Sequence, residues 1–391
     1  MKRLIAVVLP LCLSSALAAP SMPVFAPESQ TGSAIQKAID AASAAGGGVV
    51  RLEPAIYPSG TLYLKSNVEL HFEEGAVLLG YDRPERYDDV DDPRIRKAPE
   101  KSKKVFIACL FQDNVAITGN GVIDGQGPKF YDTDPKVRKW GMYPKPAHPR
   151  PRMLEFVGCR NVRFEDVTFK DSPGWTCWAR MCENFVAERV KIHADQLMIN
   201  NDGFHIDGCR HVRIRNCDLK TGDDCVVMRA IRTADGESAL CEDMVVEDCS
   251  LDSLCQGVRL GCPSDGTIRH GVFRRLKIAG VHGITSFHPV HYLQEGSRGG
   301  FAMEDILFED CEITAQRHAF NFGVEPGVTL KAFGNVTFRN IVARGGEEPL
   351  FKGTGNTKLQ NLRFENVTYE SVPGEAEPPA VNTSDCWERI P

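Results

Sequence analysis

Two acidic segments hold the residue types for proton chemistry: Asn200-Asn201-Asp202-Gly203-Phe204 and Gly222-Asp223-Asp224-Cys225. Asp202 and Asp223 are separated by 223 − 202 = 21 residues. If that interval is one turn of a repeating coil, the two are vertical neighbours. Carboxyls so grouped repel one another's charge and raise at least one pKa, as a general acid requires. Cleaving a sugar polymer with water takes such a set: one carboxylic acid to protonate the leaving oxygen, and a carboxylate to activate the water. Asp-Gly and Gly-Asp-Asp are also common turn sequences. Their occurrence together, one turn apart in a repeat, favours the chemical reading.

The repeat supplies the elements that would position them. Asn-Val-Xaa-Phe/Ile segments recur at Asn114, Asn161, Asn335 and Asn361, with variants opening at Asn184, His211, Asp243, His270 and Asp305. From Asn161 onward the steps run between 23 and 35 residues. Within each unit apolar and polar residues alternate, which is strand periodicity, and the period marks a solenoid. The expected fold is all-β: a parallel β-helix, a solenoid of stacked strand turns. Thr31 to Ala45 has helical spacing, with Ile35 and Ile39 on one side and Gly46-Gly47-Gly48 as a stop, and would cap the open N-terminal end. Cys159, Cys182, Cys209 and Cys241 lie two residues before their unit starts; Cys217, Cys249 and Cys311 lie six after. They read as two inward ladders of buried thiols. No Cys-x-x-Cys pair occurs, so neither a metal nor a cofactor is expected.

The 391 residues carry 46 Lys+Arg against 52 Asp+Glu, a net charge of −6 that argues against a basic nucleic-acid footprint. A hydrophobic content of 42% argues against wholesale disorder. Met1-Lys2-Arg3, the apolar run Leu4 to Leu17 and Ala16-Leu17-Ala18 read as a secretory signal over residues 1–19. Export to the periplasm or outside the cell is expected, with no membrane span. The remainder, 28–391, is expected to be one catalytic domain acting as a monomer.

On these residues the chain resembles the polygalacturonase family of inverting glycoside hydrolases, family 28, which are right-handed parallel β-helices. The resemblance begins at Gly46-Gly47-Gly48-Val49-Val50 and Lys65-Ser66-Asn67-Val68-Glu69-Leu70. It continues through Ile117-Thr118-Gly119-Asn120-Gly121-Val122-Ile123-Asp124-Gly125 to Asn201-Asp202-Gly203 and Gly222-Asp223-Asp224. It implies Asp223 as general acid and Asp202 with Asp224 as the pair that holds and deprotonates the water. Inversion places acid and base roughly 6.5–9.5 Å apart. The implied partner is a pectin-type polysaccharide or oligosaccharide of the plant cell wall.

The chain also departs from that family. Where the family often has another acid, this chain has His205. The family's Gly-His-Gly aligns with Cys255-Gln256-Gly257, and its carboxylate-gripping Arg-Ile-Lys aligns with Thr285-Ser286-Phe287. A sugar without a carboxylate at the cleaved position, or one held by other cations, is then the better substrate. Gln256, Arg229, Arg259, His205, His282 and His288 are the candidate substrate-binding residues. The insertion Gly127 to Pro151 carries Phe130, Tyr131, Trp140 and Tyr143 among lysines and arginines, which suits either sugar stacking or a solvated loop; Pro289 to Gly300 would wall the other side. Two other functions compete with the hydrolase: a polysaccharide lyase using the aspartates to bind Ca²⁺, and a non-catalytic carbohydrate-binding β-helix.

Overall fold

Each repeat opens on a residue in the left-handed region, and that residue turns the corner of the coil. Asn67, Asn114, Asn161 and Asn184 have φ of 64°, 57°, 57° and 58°. Asparagine tolerates this conformation better than most residues, and stacked asparagines gain a further bond. Asn114 Nδ2 donates to Asn67 Oδ1 at 2.8 Å, Asn161 to Asn114 at 2.7 Å and Asn184 to Asn161 at 3.0 Å. At the next corner His211 Nδ1 meets Asp243 Oδ2 at 2.6 Å.

The computed structural model describes residues 22–91, 102–139, 141–232, 239–290 and 300–372. The leader, Trp140 and most of the Pro289–Gly300 loop lie outside these residues. Every strand pairing between named strands is parallel, and each strand pairs with the equivalent strand one turn away. The β-helix is the expected right-handed one. The repeat registers as read from sequence: Val115, Val162, Phe185, Val212 and Met244 are successive partners.

The core is a column of such inward residues. Phe164 packs edge-on against Phe156, Phe169 and Phe185, with ring centroids 5.1, 5.6 and 5.2 Å away. The twelve cysteines among the described residues are buried. Cys159, Cys182, Cys209 and Cys241 form one ladder, each preceding a register-paired residue. In the second ladder Leu276 stands between Cys249 and Cys311. The helix Gly32–Ala44 caps the N-terminal end: Thr31 accepts from Ala34 N at 3.3 Å, and Ala34, Ile35, Ala38, Ile39 and Ala42 are buried.

One sheet differs from the others. Strands Arg152–Val157, Cys177–Arg180, Phe204–Asp207 and Val226–Arg229 are buried at every residue, whereas Arg160–Glu165 alternates in its inner half. Its outer face is therefore covered as well as its inner one. Truncating the core column should be costly: Phe164→Ala is expected to lose about 3–5 kcal/mol, read as a lower denaturation midpoint at unchanged m-value.

Candidate active site

The covered face holds the acidic residues. Cys177, Phe204, Val226, Val258, Ile284 and Phe320 are successive register partners. Two residues earlier on each turn stand Trp175, Asp202, Asp224, Gln256, His282 and His318. Backbone bonds carry the register through this file: Gly203 N to Asp224 O at 2.8 Å, Cys225 N to Gln256 O at 2.9 Å. The vertical neighbour of Asp202 is thus Asp224 and not Asp223, which corrects the sequence expectation by one residue. A second file beside it contains His205, Val227, Arg259, Thr285 and Asn321.

The turn between them is held from below. Asn201 Oδ1 accepts from Gly222 N at 2.7 Å and from Asp223 N at 3.2 Å. Gly222 must be glycine, because a Cβ there would lie 2.3 Å from the carbonyl oxygens of Gln196 and Met198. Asp223 Oδ2 accepts from Asn200 N at 3.2 Å and Nδ2 at 3.3 Å, and Oδ1 from Asp224 N at 3.1 Å. Asn200 is itself held by Arg150, whose Nη2 donates to its Oδ1 at 3.0 Å.

The three aspartates share a small space. Asp202, His205 and Asp224 have donor atoms within 4.8 Å of one another, and so do Asp223, Asp224 and Cys255. The nearest oxygens of Asp223 and Asp224 thus lie within 4.8 Å of each other. Asp202 is 3% and Asp224 0% exposed, while Asp223 is half-buried and nearest to solvent. Burial, with the charges of Asp223 and Asp224, pushes the Asp202 carboxyl well above its usual range. Burial also raises Asp224, against the pull of Arg259, to about 6. His205 lies with Nε2 2.8 Å from Asp202 Oδ2 and its ring 4.2 Å from that of Trp175. Burial first, then the Arg229 and Arg259 charges, holds it neutral.

The other candidates separate into groups. Arg259 is not a spare cation for substrate: its Nη1 lies 2.9 Å from Asp224 Oδ2. Arg229 is engaged too, between Asp207 at 3.4 Å and the Trp175 ring at 4.9 Å. Gln256 stands over Asp224 and His282 over Gln256, with the His282 ring stacked 5.3 Å from His318. Burial lowers His282 to about 3. His288 falls outside both files, packed on Phe301 and Phe333 and lowered to about 3 by burial. The insertion aromatics Phe130, Tyr131 and Tyr143 are 2%, 8% and 7% exposed. They are packing residues, with Tyr131 OH donating to Ile199 O at 2.6 Å, and offer no free face to a sugar. Trp175, one turn below Asp202 in the same file, was legible from the repeat spacing but passed over; Arg150 carried no sequence signal.

Several atoms along the two files have no hydrogen-bond partner in the protein: Asp202 Oδ1, Asp224 Oδ1, Gln256 Oε1, Thr285 Oγ1, Asn321 Oδ1 and both ring nitrogens of His205 and His282. A buried polar group left unmatched costs about 1–3 kcal/mol, so their concentration here marks a surface shaped for a polar ligand.

Fold and site together define a parallel β-helix with a carboxyl cluster on one covered sheet. Residues 93–260 match the family model of Glycosyl hydrolases family 28. The polygalacturonase of Medicago sativa is 29% identical over 307 residues, covering 73% of this chain and 60% of the relative. The exopolygalacturonase of Oenothera organensis is 36% identical over 134 residues, covering 33% and 36%. The chain thus spans less than two thirds of these curated relatives' length. Among solved structures, the exopolygalacturonase of Thermotoga maritima superimposes with a TM-score of 0.70 at 23% identity, covering 87% of this chain and 83% of that one. Over residues 93–260 the chain is thus similar to glycosyl hydrolases family 28, at identities that fit a divergent relative.

A buried carboxyl with a raised pKa destabilises the fold increasingly as pH rises above its unfolded value near 3.9. Asn does not titrate and escapes this penalty. Asp202→Asn is therefore expected to raise the melting temperature at pH 7 by a few degrees and to do so less at pH 4, measured by thermal unfolding at both pH values.

Proposed function

We propose that the chain is an exported inverting glycoside hydrolase that cleaves a pectin-type, galacturonate-containing or related polysaccharide or oligosaccharide. The observation that carries this reading is the stacking of Asp202 over Asp224 beside the half-buried Asp223. Asp223, nearest to solvent and oriented by Asn200, gives its proton to the glycosidic oxygen. Asp202 and Asp224 hold a water between them and take its proton as its oxygen bonds to the anomeric carbon from the opposite face. The acid ends as a carboxylate and the pair ends protonated, and exchange with solvent restores both.

Arg259 keeps Asp224 ionised against its burial. The lyase alternative needs a basic side chain to remove a proton from carbon, and the nearest cation, Arg259, is bound to Asp224. The family's gripping cations correspond to Thr285, Ser286 and Phe287. Thr285 and its register partner Asn321 offer a hydroxyl and an amide oxygen there, which suits a neutral sugar at that subsite. Export rests on the leader read at residues 1–19. No helix among the described residues is long and apolar enough to cross a membrane.

Asp223→Asn is expected to stay folded and to lose at least about 10²-fold in turnover on a panel of pectic polymers and oligomers; full activity would overturn the assignment. The first product seen by NMR should have inverted anomeric configuration, and an unsaturated product absorbing in the ultraviolet would point to a lyase.

Asp224 must be ionised to accept the water's proton, so kcat/KM should fall as pH drops through about 6, as an apparent value of the pair. Removing the charge that lowers this pKa raises it. Arg259→Gln should therefore move the acidic limb of the pH profile upward.

A further inference from the structure

Asp202, His205 and Asp224 are arranged for more than holding a water. The three are 3%, 3% and 0% exposed, with donor atoms within 4.8 Å of one another. Asp202 Oδ2 and His205 Nε2 are 2.8 Å apart, yet no hydrogen bond joins them, and neither nitrogen of His205 has a hydrogen-bond partner. Two donors this close that do not point at each other can share a third atom. Neighbouring ligands of a cation held at about 2.0–2.2 Å stand about 3 Å apart in octahedral geometry. Asp202 Oδ1 and Asp224 Oδ1 likewise have no partner, while Asp224 Oδ2 is taken by Arg259.

We propose that Asp202, His205 and Asp224 form a binding site for one divalent transition-metal cation of the Zn²⁺, Co²⁺ or Mn²⁺ class, through one imidazole nitrogen and two carboxylate oxygens. Mixed nitrogen and oxygen donors suit this class better than Ca²⁺ or Mg²⁺, which take oxygen alone. The Arg229 and Arg259 guanidiniums oppose the cation and Asp223 favours it, so binding is weaker than at a structural zinc site. The cation takes the oxygens that would hold the water, so metal occupancy and hydrolysis exclude each other. That inhibition rests on the hydrolase reading; the binding does not.

The test uses the full chain, titrated with Zn²⁺ by calorimetry and with Co²⁺ by visible absorption. One equivalent is expected to bind, with Co²⁺ developing ligand-field bands. His205→Phe should weaken binding by more than the roughly 10–100-fold that an outer-shell partner is worth. His193→Gln, at an exposed histidine 2.8 Å from Asp218, should leave it unchanged. If His205→Phe does not fold, Asp202→Asn makes the same comparison at constant volume. Wild-type protein that binds neither ion, or a His205→Phe variant that binds as wild type does, overturns the site. Binding without hydrolysis of any polymer would overturn the hydrolase reading alone; hydrolysis with no metal binding would overturn this proposal alone.

Discussion

The site depends on one contact, the stacking of Asp202 directly over Asp224 at the strand spacing of a parallel ladder. Two carboxyls at that spacing and out of water cannot both be ionised cheaply. Burial raises both, and Arg259, one turn further on, pulls Asp224 back. The consequence is a pair pushed toward the neutral form, Asp202 more strongly than Asp224, with a neutral histidine against the first and a guanidinium against the second. Asp223, one residue before Asp224 in the turn, is only half-buried and so escapes the full confinement.

The surroundings explain how such a cluster is tolerated. Asn201 clamps the Gly222–Asp223 turn through its amide oxygen, and Asn200 holds the Asp223 carboxyl from two nitrogens. Arg150, at the end of a long insertion, reaches across to fasten Asn200. The insertion therefore buttresses Asp223 through one intermediary and buries its aromatics in doing so. Backbone and side chains far apart in sequence converge on a few oxygen atoms, which is how strain at a functional site is usually supported.

Much of this is legible in the sequence itself. The corner asparagines, the alternating Val and Phe positions and the two cysteine ladders all follow from a repeat whose side chains must stack. The assignment of Asp202's partner was off by one because the turns vary in length, and counting residues cannot say where within a turn the extra ones are absorbed. The roles of Arg229 and Arg259 were hidden for a different reason. Each was read as a cation available to substrate, but Asp207 and Asp224 face them across the ladder, and such pairings require the register. The insertion's aromatic residues misled because amphipathic rings serve equally well as packing and as a sugar platform.

Because each turn of the coil touches only the turns on either side of it, length along the axis is decoupled from chemistry. A complete winding gained or lost beyond His318 would leave the Asp202–Asp224 stack and its clamp undisturbed, while changing the length of sheet along which an extended ligand could lie. Evolution can thus adjust reach by whole modules, and the few residues of the carboxyl cluster need not change at all.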